Sequence, residues 1–503
     1  MISRRAFLVS GAGAATLAAV GARSALADGG AGVAWDPLRR HLAGQLVLPS
    51  DPAYETAKQL DLMQFDATNP QAVAYCAGPA DVSLCLRFAQ DNGIPFAARS
   101  GGHSIGGYST SEGLVIDVSR LNSVSVGEGT VSIGPGAQMV DITNTLAASG
   151  LAISGGFYPT VAAGGYLHGG GLGSLVRHAG VASDKVTAAR VALASGRVVT
   201  ASERENPDLY WAVRGGGGGN FGIVVATDLT PTAVGQAAVA NLAWSYDHAV
   251  DVLDGYARWL ADAPRTLGGA AIVMLRDAAV GATPVPTVLI VSVGTTAELA
   301  SEVARLVSLT GPPESQFTDV VPFQAVMMGL YRCSTYTVAQ CHRIGASPQG
   351  ILPRSAFGLQ RSRMFSEPMP RSGWEQALAV FDTGRLAGQA HVLEVLALGG
   401  AANDLDRTAT AYVHRDSLFS TNYQAQIAEP PVSEEAAATA RQWVDAGFAV
   451  IDPYSNGETY QNFTDPALAD WRESYYAENY PRLARIKARY DPDRAFEFAQ
   501  SIT

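Results

Sequence analysis

Apolar positions change period twice between residues 72 and 98. Residues 72–76 form a short apolar run, read as a strand. Pro79-Ala80-Asp81 opens a helix whose apolar positions include Val82, Leu86 and Ala89, and Asn92-Gly93 ends it. Residues 94–98 resume as a strand. Further strands are predicted at 114–117, 123–126, 130–133 and 223–227, with a helix over 139–148. Residues 414–426 alternate: Phe419, Thr421, Tyr423 and Ala425 share one face, and Ser420, Asn422, Gln424 and Gln426 the other. That is the pattern of a half-buried strand. The apolar strand 392–398 is interrupted by Glu394, read either as a site residue or as a solvated strand-end carboxylate. His391 and Tyr423 stand in the same open position. The chain ends in a charged helix and Tyr490-Asp491-Pro492-Asp493, and it has no internal repeat.

Between these elements lie three glycine-rich tracts, at 99–107, 155–173 and 214–222. Each adjoins apolar strand residues, where floppy linkers are not expected. Glycine lets main chain approach a ligand closely. Successive N–H groups in such turns form nests for anions such as a pyrophosphate. No tract carries the G-K-[ST] of a phosphate-binding P-loop. Gly169-Gly170-Gly171-Leu172-Gly173 also lacks the preceding strand and the acidic residue of the dinucleotide fingerprint. Spacing alone therefore reads as a cradle for an anionic ligand, a nucleotide by preference.

A chain of 503 residues implies two or more domains. The net charge of -11 argues against nucleic acid or an anionic membrane as partner. Residues 1–27 read as an export signal: Arg4 and Arg5, an apolar small-residue stretch, then Ala25-Leu26-Ala27 as a cleavage site. The stretch is too weak for a stable membrane anchor. The paired arginines resemble a twin-arginine signal, which carries folded proteins; the alternative is an ordinary secretion signal or an uncleaved anchor. Removing Arg4, Arg5 and Arg23 would take the charge from -11 to -14. Four cysteines are too few for a disulfide scaffold. Cys333 and Cys341 are candidates for a local disulfide, whereas Cys76 and Cys85 read as buried thiols. No Cys/His spacing resembles a metal site.

Four ordered segments carry a resemblance. They are Arg99-Ser100-Gly101-Gly102-His103-Ser104; Pro159-Thr160-Val161-Ala162-Ala163-Gly164-Gly165; Arg214 to Gly222; and the end from Asn479-Tyr480-Pro481 to Gln500-Ser501-Ile502. Together they resemble the berberine-bridge-enzyme-like group of the vanillyl-alcohol-oxidase / p-cresol-methylhydroxylase flavoprotein superfamily, over nearly the whole mature chain. The resemblance implies an α+β fold: a two-subdomain FAD-binding domain of PCMH type, a substrate domain with an antiparallel sheet, and a C-terminal segment returning to the FAD domain. The corresponding boundaries are 28–235, 236–445 and 446–503. It also implies FAD bound by Arg99, Ser100, Gly101, Gly102, His103, Ser104, Gly107, Gly156, Tyr158, Gly164, Gly165, Tyr166, Gly169, Gly222, Ile223, Tyr460 and Asn462.

The family histidine, here His103, bonds covalently to the flavin 8α-methyl. An imidazole nitrogen is a nucleophile suited to that electrophilic carbon. Many members add a cysteine link in a G-x-C-P segment. Here Gly156-Phe157-Tyr158-Pro159 puts Tyr158 in that place, so a single link is expected. Tyr166 stands where relatives often carry histidine near the flavin's pyrimidine ring, and its hydroxyl is expected to donate there. Val161 matches the gate position at which small residues and valine admit oxygen, which favours an oxidase. Tyr460-Gln461-Asn462-Phe463 resembles the family's Y-x-N-[YF] motif, with phenylalanine where several relatives have the catalytic tyrosine. Tyr460 is therefore the leading base, or else a packing residue framing the flavin.

The reaction implied is hydride transfer from a small-molecule alcohol, sugar or secondary metabolite to flavin N5, with a base removing the O–H or N–H proton. Dioxygen would then be reduced to hydrogen peroxide, outside the cytoplasm after export. Two other readings remain: a dehydrogenase using another acceptor, and a non-catalytic flavin-binding protein.

Overall fold

The computed structural model describes residues 33–503. The expected export signal, residues 1–27, lies outside the described residues. No described helix is long and apolar enough to cross a membrane.

The first sheet has the order Gln45–Val47, Ala72–Tyr75, Leu114–Asp117, Phe96–Arg99. The last three run parallel, and Gln45–Val47 is antiparallel to its neighbour. Leu114–Asp117 is buried along its whole length, as an apolar run in a covered parallel sheet should be. Helix Pro79–Asp91 covers the sheet with Val82, Cys85, Leu86 and Ala89. Pro79 sits in its first turn, where the missing N–H costs nothing. The strand expected at 94–98 starts at Phe96. Ile94 is still engaged in closing the helix, since its N–H donates to the Ala89 carbonyl at 2.8 Å.

A second, antiparallel sheet has the order Val124–Val126, Val131–Ile133, Ile223–Leu229, Val186–Ala192, Val198–Ser202. The chain end returns to it. Leu483 and Ile486 of helix Tyr480–Tyr490, with Ile502, pack against Leu209, Trp211 and Phe221. Lys487 Nζ donates to the Asn220 and Phe496 carbonyls, and Ile502 N–H donates to Asn220 Oδ1.

The third sheet is antiparallel and seven-stranded. Its order is Ser315–Pro322, Gln236–Ala243, Val285–Ser292, Leu267–Leu275, Gln389–Ala397, Phe419–Ile427, Phe357–Phe365. One face, with Val273, Leu393, Val395, Phe419 and Tyr423, packs on helices Ala249–Asp262 and Glu434–Ile451. His391 and Tyr423 belong to this core and are removed from the site. His391 stacks on Trp443 at 4.0 Å between ring centroids, and burial pushes its pKa down to about 4. The Tyr423 hydroxyl donates to the Ala377 carbonyl. The opposite face sets Ile272, Glu394, Asn422 and Ser362 side by side in register. Ala270, Leu396 and Met364 on that face pack against Leu172, Val176 and Val181 of the FAD half, so it overlooks the glycine-rich tracts.

The alternating strand begins at Phe419 rather than residue 414. His414 and Arg415 are instead drawn into buried pairs with Glu458 and Asp184. Cys333 and Cys341 form a disulfide, while Cys76 and Cys85 are buried free thiols.

Candidate active site

Arg99 ends a strand of the first sheet and is anchored there by an ion pair with Asp117. The chain then leaves the sheet as the loop Ser100 to Gly107. None of the N–H groups of residues 101–106 donates to another group among the described residues. Gly102 and Gly107 have φ of 72° and 75°, the left-handed conformation that turns successive N–H groups toward one side. Gly101 lies so close to the second tract that a Cβ there would meet Ala162 N at 2.8 Å, and one at Gly164 would meet Ser100 Oγ at 3.1 Å. Gly165 opens onto free space. Arg99 also keeps one guanidinium nitrogen, Nη1, buried without a partner. A run of unused donors beside a glycine-lined gap fits the pyrophosphate of a flavin dinucleotide. Ser104 has a local duty as well, its hydroxyl accepting from Tyr108 N–H.

His103 stands at the open end of this loop. Its Nε2 is 2.9 Å from Thr160 Oγ1 and its Nδ1 is 3.4 Å from Asp61 Oδ2. Tyr158, two residues before Thr160, is 59% exposed. Surrounding protein pushes the Tyr158 hydroxyl up to about 12, with the Glu394 and Asp61 charges adding to the effect and Arg332 opposing it. Gly156 passes over the Tyr166 ring, where a Cβ would lie 2.9 Å from it. Val161 is half-buried at the edge of the neighbouring core, and its carbonyl accepts from Met139 N–H.

Glu394 is the titratable group of the sheet face above. It accepts from Gln424 Nε2 at 3.3 Å, and burial alone pushes its pKa up to about 7. A carboxylate near 7 in a cleft can accept a proton at neutral pH. The sequence left Glu394 undecided, because an interrupting carboxylate looks the same from either side of a strand. Sequence reasoning passed over Asp61, which lies in a stretch without a motif.

Two expected residues are placed differently from the reading above. The Tyr166 hydroxyl does not stand free for a cofactor: it is held by the Ser154 and Leu172 carbonyls at 2.7 and 2.8 Å. Tyr460 is 2% exposed. Its hydroxyl oxygen accepts from Gly171 N–H and Asn462 Nδ2, both at 2.7 Å, and burial pushes it up to about 12. Asn462 also donates to the Tyr166 carbonyl and abuts Gly169, leaving no room for a side chain there. Tyr460 and Asn462 therefore pin the Gly169 to Leu172 turn. Gly222 immediately precedes the strand Ile223–Leu229, and the Ile223 side chain is buried in the core beneath the first sheet. No cluster of potential metal ligands occurs among the described residues.

Comparison with known proteins agrees with this geometry. Residues 70–202 match the family described as FAD binding domain, and residues 459–503 match the family described as berberine and berberine like. The chain is 28% identical to (R)-6-hydroxynicotine oxidase of Paenarthrobacter nicotinovorans, covering 92% of this chain and 97% of that one. It is 27% identical to the berberine bridge enzyme-like protein Cyn d 4 of Cynodon dactylon, covering 91% and 90%. Its fold superposes on the BBE-like 1 protein of Physcomitrella patens with a TM-score of 0.83 at 22% identity, over 94% of this chain and 99% of that one. A chitooligosaccharide oxidase superposes with a TM-score of 0.81 at 22% identity, over 93% and 99%. The fold and site define an FAD-dependent oxidoreductase of PCMH type. Within that class, the chain is similar to the berberine-bridge-enzyme-like flavoproteins, whose family model residues 459–503 match.

Proposed function

We propose that this protein is an exported oxidase that carries FAD on a single covalent link through His103. In this reading it oxidises a small-molecule alcohol, sugar or secondary metabolite and passes the electrons to dioxygen. The observation that carries the reading is the loop of residues 101–106, whose N–H groups have no partner among the described residues and which holds His103 between Thr160 and Asp61. Glu394, on the sheet face packed toward the glycine-rich tracts, is the proton acceptor near pH 7.

FAD, when bound, supplies the hydride acceptor and the route of electrons to oxygen. The protein does the rest. Glu394 takes the substrate O–H or N–H proton, which raises the hydride-donating power of the adjacent C–H. This assigns the base to Glu394 rather than Tyr460, whose hydroxyl is enclosed and already accepts two N–H donors. Tyr158 has no thiolate and so leaves His103 as the single attachment point. Val161 is assigned the gate position at which oxygen is admitted. Two relatives named as oxidases support this chemistry. The FAD unit is assigned to residues 28–235 and 446–503, and the substrate unit to 236–445.

The test is the visible spectrum of purified protein before and after acid precipitation, followed by an oxygen-electrode screen of alcohols, sugars and amines. Yellow colour that stays with the precipitated chain and is absent from His103→Ala is the expected result. Flavin released from the wild-type chain would overturn the covalent assignment. Substrate bleaching of the flavin without oxygen uptake would overturn the oxidase assignment.

A further inference from the structure

The imidazole of His103 has two close side-chain partners with distinct chemistry. Thr160 brings a neutral hydroxyl to Nε2 at 2.9 Å, and Asp61 brings a carboxylate to Nδ1 at 3.4 Å. Asp61 does not reach His103 by chance of rotamer. Its own N–H donates to the Gly102 carbonyl at 3.0 Å, so its main chain is tied to the residue preceding the histidine. Leu60 before it is 1% exposed, and its carbonyl accepts from Arg354, which in turn forms a two-pronged pair with Asp66. The carboxylate is therefore mounted on a braced segment. The His103 and Asp61 side chains keep 19% and 29% of their surface, so both remain accessible.

We propose that Asp61 is a positioning residue for covalent flavin attachment, resting on the assignment of His103 as the linking residue. The imidazole lone pair forms the N–C bond to the flavin 8α carbon, and one hydrogen of that carbon leaves as a proton. The second proton comes from the imidazole. Both protons and the electron pair end on the flavin ring, which is thereby reduced by two electrons. Dioxygen then accepts two electrons and two protons and leaves as hydrogen peroxide. While the new bond forms, the imidazole has spent its lone pair and becomes cationic. A fixed carboxylate beside the ring stabilises that charge whichever nitrogen forms the bond. Thr160 is neutral, so its part is confined to orienting the ring.

The experiment compares wild type, His103→Ala, Asp61→Asn, Asp61→Glu and Thr160→Val as full-length proteins purified with FAD. Two quantities are read: flavin per chain in the native state, and the fraction retained after acid precipitation. Asp61→Asn is expected to keep native flavin while its rate of covalent attachment falls by about tenfold or more, the effect of losing a charged partner worth roughly 1.4 kcal/mol. Asp61→Glu, which restores the charge, is expected to recover most of that rate, and Thr160→Val to retain the larger share of it. Wild-type attachment in Asp61→Asn overturns the proposal. So does equal loss in Asp61→Asn and Asp61→Glu, which would mark the position as structural. Release of flavin from the wild type instead overturns the His103 assignment itself.

Discussion

Gln424 donates its side-chain amide to the Glu394 carboxylate at 3.3 Å across two neighbouring strands of the seven-stranded sheet. This is the bond that steadies a carboxyl group held near pH 7. Glu394→Gln is expected to lower kcat by about 10² to 10⁴, the usual worth of a positioned general base. The wild-type rate should rise with pH through about 7 as Glu394 loses its proton, and that limb should vanish in the variant. Steady-state oxygen uptake from pH 5 to 9 measures both. Full activity in the variant would return the base to another residue.

The same carboxyl makes a stability prediction of definite sign. Its folded-state pKa, about 7, is raised above an ordinary 4.5. Between those values the folded state holds more protons than the unfolded state, so stability falls as pH rises. The wild type should therefore lose on the order of 1–3 kcal/mol across this window relative to Glu394→Gln. Melting curves of both proteins at pH 5 and pH 8 read the difference, and the variant's advantage should be larger at pH 8.

Tyr460→Phe removes the acceptor shared by Gly171 N–H and Asn462. Leaving buried donors unpaired costs about 1–3 kcal/mol each. A lower melting temperature and weaker flavin retention are expected, with kcat of the loaded enzyme changed by less than about tenfold. A loss of kcat as large as that of Glu394→Gln would restore Tyr460 to the base's role.

Gly102→Val tests the anion nest. With φ at 72°, a β-branched residue is strained by roughly 1–2 kcal/mol and the loop must rotate its N–H groups away. Native flavin per chain, from the ratio of visible to ultraviolet absorbance, should fall. An unchanged ratio would separate the loop from the pyrophosphate.

Tyr158→Cys places an exposed thiol two residues from Thr160, the hydroxyl partner of His103. A cysteine thiolate is the stronger nucleophile. In the double variant His103→Ala/Tyr158→Cys, flavin colour that survives acid precipitation is expected, where His103→Ala alone releases it. Mass spectrometry of the peptide containing residue 158 checks the new bond.

Much of the architecture was open to a sequence reading because it rests on local rules. The helix behind the first sheet announces itself through Pro79, its apolar stripe and Asn92-Gly93, since start signals, period and stop signals act over one or two turns. The glycine tracts were legible for a similar reason: a nest is made by consecutive main-chain groups. Even the alternation of residues 419–426 correctly separated two faces.

Which face looks where was beyond that reading. His391, Glu394 and Tyr423 were equal candidates in the sequence, but register puts His391 and Tyr423 against Trp443 and Glu394 on the opposite face beside Asn422. A shift of one residue along a strand reverses its direction, and only packing of the whole sheet decides it. Tyr460 lost its free hydroxyl to donors brought from a turn far away in the chain. Asp61 gained its place beside His103 through a main-chain bond to Gly102. The sequence by itself determined the helix behind the first sheet, the glycine tracts and the loop that carries His103, because these depend on neighbours along the chain. The tertiary structure decided the surroundings of Glu394, the partners of His103 and the enclosure of the Tyr460 hydroxyl, because distance, burial and charge are set by residues that meet only after folding.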